Sequence, residues 1–182
     1  MNKNKKGAYP IMGIFIFIAV LLVVGLVLGF SGYVSNKLDT AISSQDIMAG
    51  QVNFTETWND HYGQLDTALT KNMNWLGLAI LFGLIIGLFT SAYFRREKAI
   101  PLFIILDIFL IFIAFIVGAY VSDAYGIIIG INELSTQFVQ NLGLFSKMML
   151  NLPIITTIIG ALMMIITYSG IPSTKEEQIA GY

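Results

Sequence analysis

Asp107 is the one ionisable residue inside a long apolar run, Leu102 to Val121, where it stands in Phe103-Ile-Ile-Leu-Asp-Ile-Phe. A carboxyl group in such surroundings is costly to ionise. It either serves a proton or cation pathway or stays as a structural group held by hydrogen bonds. Thr90, Ser91, Tyr93, Thr167 and Tyr168 fall at a similar depth in neighbouring runs and are candidate hydrogen-bond partners. A relay needs further buried ionisable groups, and the apolar runs supply none, so the structural role leads. Trp58, Asp60, His61 and Tyr62 form a second polar-aromatic group. One histidine beside one aspartate falls short of the ~3–4 ligands of a metal centre. As a general base His61 has no Ser or Cys nucleophile context. Trp58, His61 and Tyr62 are therefore expected to serve surface packing or contact with a partner. Asn53-Phe54-Thr55 matches a glycosylation acceptor, a short pattern that arises easily by chance.

The third pattern is a ladder of small residues. Gly25 and Gly29, then Ala79, Gly83, Gly87 and Ser91, then Ala114, Gly118, Ser122, Gly126 and Gly130 recur every fourth position. In a helix this spacing keeps them on one face, where missing side chains let backbones approach closely. Packing within the chain is the first expectation, and a seam for another copy or partner is the second.

These residues must be positioned by four apolar runs, at about 11–34, 75–94, 102–121 and 148–169. Each is near the ~20 residues a helix needs to cross a hydrocarbon layer of ~30 Å. The composition agrees: 56% hydrophobic and 12% charged among 182 residues, against ~25% charged in soluble domains. The expectation is an all-α, multi-pass integral membrane protein forming one domain over 1–182. Zero cysteines remove disulfides, thiolate metal sites and palmitoylation. The net charge of −1 gives no basic patch for nucleic acid. No cofactor or metal is expected. Lys3, Lys5 and Lys6 before the first run also suit a signal peptide, but a cleaved h-region is typically ~7–15 residues, so a retained anchor is expected.

Between runs one and two, Val34, Leu38 and Ile42 continue the first helix outward to about Ala49-Gly50. Trp58, Tyr62, Leu65 and Leu69 lead into the second at helical spacing, with Asn53 or Thr55 as cap. Between runs three and four, Leu134, Phe138 and Leu142 precede a turn at Asn141-Leu-Gly143, and Pro153 kinks the last helix or sets its first turn. The fold expected is thus two helical hairpins. Their helices extend beyond the membrane on the outer side as tips at about 35–74 and 122–147, and a polar tail spans 171–182. Tyr9, Tyr33 and Trp75 fall near span ends, where amphipathic rings anchor.

Basic residues orient the chain. Lys3, Lys5, Lys6, Arg95, Arg96, Lys98 and Lys175 fall on one side, against Lys37, Lys71 and Lys147 on the other. The richer side is expected to be cytoplasmic (or interior), with both termini there and the tips outside. No motif names a reaction. The function expected is non-enzymatic: a structural or accessory membrane protein, either a subunit of a membrane complex or a membrane protein of a lipid-containing virus particle. Its partners would be the lipid bilayer and other membrane subunits or copies of itself. The alternative is a small oligomeric channel, holin-like pore or proton/cation-coupled carrier using Asp107.

Overall fold

The computed structural model describes residues 11–45, 48–49, 52–94 and 101–169. Helix α1 runs Met12–Ser43, α2 Phe54–Thr57, α3 Gln64–Phe94, α4 Pro101–Ile129, α5 Asn132–Thr136, α6 Gly143–Leu150 and α7 Leu152–Tyr168. Wide π-helical turns at Trp58–Gly63 and Gln137–Asn141 join α2 to α3 and follow α5. The described residues are otherwise nearly all helical. A two-residue antiparallel pair, β1 Met48–Ala49 with β2 Val52–Asn53, closes the turn after α1. The basic residues of the 95–98 turn, the N-terminal lysines, Tyr9 and the tail lie outside the described residues.

Three helices are long and apolar enough to cross a membrane: Met12–Ser43, Thr70–Phe94 and Leu102–Ile129. A fourth crossing exists if α6 and α7, bent by 73° at Asn151, form one broken span. The chain is therefore a multi-pass, helical membrane protein by the length and composition of its helices. At 32 residues, α1 is about 48 Å long, well beyond a ~30 Å hydrocarbon layer.

Large apolar side chains point outward on each long helix: Ile16, Val23 and Val27 on α1, Phe82 and Ile86 on α3, Ile105 and Phe112 on α4, Ile158 and Ile165 on α7. In water such a surface would be a liability; in lipid it is the expected exterior. Each helix turns one narrow stripe inward. On α1 the buried residues are Ile14, Phe17, Ile18, Leu21, Gly25, Gly29 and Gly32, at steps of three and four. Lipid tails are as apolar as leucine, so close van der Waals fit, more than expulsion of water, must hold these stripes together. The most extensive contact joins α4 to α7, and α3 packs along α1.

The ends differ in places from the sequence expectation. Helix α1 stops at Ser43, short of Ala49-Gly50; the Ser44 N–H donates to the Thr40 carbonyl and the Gln45 N–H to the Ile42 carbonyl, and the strand pair takes over. Asn53 does cap the next helix, its side chain accepting from the Glu56 N–H at 3.1 Å. Pro153 sits in the first turn of α7, where its missing N–H costs nothing. The Asn141-Leu-Gly143 turn is present, with Leu142 leaving helical geometry at φ −112°, ψ 25°.

The bend at Asn151 exposes carbonyls that a membrane interior cannot hydrate. Neighbouring groups take them up. Ser122 Oγ of α4 donates to the Leu150 carbonyl at 2.6 Å, and Asn151 Nδ2 donates to the Lys147 carbonyl at 2.8 Å.

Candidate functional site

Small residues on the different helices have different fates. On α1 a Cβ at Gly29 would overlap the Phe138 ring, and one at Gly25 would come 2.9 Å from Phe145 Cε1 and 3.2 Å from Tyr125. Gly77 of α3 meets the same Phe145 ring at 2.9 Å. These glycines are sockets for aromatic rings rather than places where two helix backbones touch. The rings come from the segment between α4 and α7. Phe138 stands edge-on to Tyr125 with centroids 5.6 Å apart. Ser146 Oγ donates to the Phe138 carbonyl at 2.7 Å, so the Tyr125 hydroxyl donates to Ser146 at 2.9 Å. The sequence ladder flagged Gly25 and Gly29 but not Gly77 or the rings that fill these sockets, nor Gly32, which meets Gln137 and Met73, because spacing says nothing of what lies opposite.

Close backbone approach occurs between α4 and α7. A Cβ at Gly118 would lie 3.2 Å from the Pro153 Cα, a backbone atom that cannot swing aside. Ala114 and Ser122 continue this buried face. Gly126 has only an ordinary contact with Leu150, and Gly130 is exposed at the helix end.

On α3 packing within the chain, expected for the ladder, does not hold. Ala79, Gly83 and Gly87 are exposed, and Ser91 is half-buried. Among the described residues nothing lies within 4 Å of a Cβ at Gly83 or Gly87. The inward face of α3 is set by Met73, Gly77, Leu78 and Leu81 instead. Two residues advance a helix by about 200°, so the 79–83–87 row lies nearly opposite the 77–81 row. A strip of small residues thus faces outward within the apolar helix Thr70–Phe94.

Asp107 is buried at 2% exposure. The Tyr168 hydroxyl donates to its Oδ2 at 2.5 Å, joining α4 to the last residue of α7 across 61 positions. Thr167 beside Tyr168 is also buried, whereas Thr90 and Tyr93 are exposed. The acid is thereby tied to a neighbouring helix at the α7 end.

At the opposite end Trp58 fixes the tip to α1. Its Nε1 donates to Asp39 Oδ1 at 3.2 Å, and its ring stacks on Tyr62 with centroids 5.0 Å apart. Tyr62 and His61 are exposed. Among the described residues no three His, Cys, Asp or Glu side chains come together. No protein family, curated protein or solved structure matches this chain.

Proposed function

We propose that this chain is a non-enzymatic structural or accessory membrane protein that assembles side by side with other membrane subunits or with copies of itself. Its four spans would form two helical hairpins, with both termini cytoplasmic or interior and the tips outside. The observation that carries the reading is the outward strip Ala79, Gly83 and Gly87. Small residues four apart let a second helix approach closely, and the chain's own helices leave this strip open. A membrane complex and the membrane of a lipid-containing virus particle are the two settings in which such side-by-side contacts would serve. The Asp107–Tyr168 hydrogen bond supports a structural role for the buried acid over a channel or carrier role.

Native mass spectrometry of the chain purified from its own membrane tests this. The wild type should carry further copies or co-purifying chains, and Gly83→Leu with Gly87→Leu should strip them off. Because the strip is open within the chain, that variant should keep the helix content and melting temperature of the wild-type monomer. Gly118→Leu is the contrast: overpacking against Pro153 should cost ~1–3 kcal/mol of the fold itself. A wild type that is monomeric at native levels, or a double variant that assembles unchanged, would overturn the proposal.

A further inference from the structure

A cleft of about 360 Å³ opens between α1, α3 and the Gln137–Asn141 turn. Its lining residues are of polar type and include Asn36, Asp39, Thr70, Lys71, Gln137 and Gln140. In a membrane protein the depth of such a cleft decides what can reach it. The apolar run of α1 ends at Val34, so Asp39 lies about 8 Å beyond it, and Lys71 lies about 6 Å before Trp75, at 1.5 Å per residue. The headgroup layer on each face is about 5–8 Å thick, so both charges stand at headgroup level.

The two charges are opposite in sign and come from different helices. Asp39 is anchored: the Trp58 indole N–H holds its Oδ1, and the residue lines the cleft. Gln137 is 2% exposed, and its Oε1 accepts from Asn141 Nδ2 at 2.5 Å, so it forms the buried floor of the cleft. The cleft therefore offers a carboxylate acceptor, an ammonium, amides and hydroxyls. A purely anionic headgroup would meet Asp39 unfavourably. A quaternary ammonium has no N–H to give to Asp39.

We infer that this cleft binds a phosphoethanolamine group, its primary ammonium on Asp39 and its phosphate on Lys71. The inference rests on the membrane boundary assigned to α1 and α3 above, but not on assembly through α3. The chemistry has two sources, phosphatidylethanolamine in the bilayer and free phosphoethanolamine in solution.

The full chain in detergent micelles, given equal trace amounts of phosphatidylethanolamine, phosphatidylcholine and phosphatidylglycerol, should retain the first in native mass spectra. Asp39→Asn and Lys71→Gln should each lower that retention about tenfold, the factor that one lost hydrogen bond to a charged group gives. Asp39→Asn keeps an oxygen for Trp58, so its melting temperature in lipid-free detergent should match the wild type. Competition by free phosphoethanolamine assigns a soluble source, and its failure to compete assigns the lipid. Equal retention of phosphatidylcholine, or retention unchanged in both variants, would overturn the inference. Lipid retention and subunit number are separate mass increments in the same spectra, so either proposal can fail alone.

Discussion

Asp107 and Tyr168 show how one polar contact constrains two membrane helices. The hydroxyl donates to a carboxyl oxygen at 2.5 Å, and both residues belong to elements whose other contacts are almost entirely apolar. An apolar interface tolerates sliding by a turn, because one leucine-sized contact replaces another. A hydrogen bond with a single partner does not. Asp107→Asn retains an oxygen for Tyr168 and should leave fold and assembly near wild type. Asp107→Leu and Tyr168→Phe should each destabilise, and a double-mutant cycle in mixed micelles should give a coupling of about 0.5–1.5 kcal/mol. Proteoliposomes whose proton or cation flux vanishes in Asp107→Asn, with the fold intact, would move the acid from structure to transport. Much of this was legible in the sequence: Asp107 was the only acid in an apolar run, and Tyr168 was among the groups at its depth. Which of Thr90, Ser91, Tyr93, Thr167 and Tyr168 it would meet depended on helix rotation, which hydropathy does not encode.

The element whose behaviour departs most from its apolar pattern is the fourth run. Met148 to Ser169 reads as one span that Pro153 kinks or starts, and the chain breaks at Asn151, where α6 turns away by 73°. Pro153 marked the place, but hydropathy could not give the size of the bend. That size reflects where α6 is held. Its N-terminus is capped from α3: Asn74 Oδ1 accepts from the Leu144 and Phe145 N–H groups, both at 3.1 Å. The cap comes from some 70 positions away, so no local motif announces it, and Leu142, the residue before α6, offers no side-chain cap. The same contact seats Phe145 in the sockets of Gly25 and Gly77. Replacing Asn74 by Leu should cost about 1–2 kcal/mol, as lost caps do, and speed hydrogen exchange at the Leu144 and Phe145 amides. Asn74→Asp keeps the acceptor oxygen and should restore the slow exchange. If both variants exchange like the wild type, Asn74 does not hold α6.

Whether the whole molecule crosses the membrane three times or four depends on that same bend. Helix α7 alone has 17 residues, about 26 Å, a little less than a ~30 Å hydrocarbon layer. The 8 residues of α6 add about 12 Å along their own axis. Tilted by 73°, they add only about 4 Å along the α7 axis, for a total of about 29 Å. The broken pair is therefore just long enough to span, and the four crossings proposed above would put both termini on one side. The basic residues point the same way, since Lys175 then joins the cytoplasmic set. With no native cysteine, single substitutions give a clean readout. Ser44→Cys and Gln140→Cys sit at exposed positions of the two tips and should react with an impermeant thiol reagent in sealed, right-side-out cells. Ser173→Cys in the tail should react only after permeabilisation. Labelling of all three from outside would mean that α6 and α7 re-enter without crossing and that the chain spans three times. Labelling of Ser173→Cys alone would invert the molecule. Protection of Ser173→Cys with both tips labelled is the expected result, because it alone fits both the length of the broken span and the placement of the basic residues.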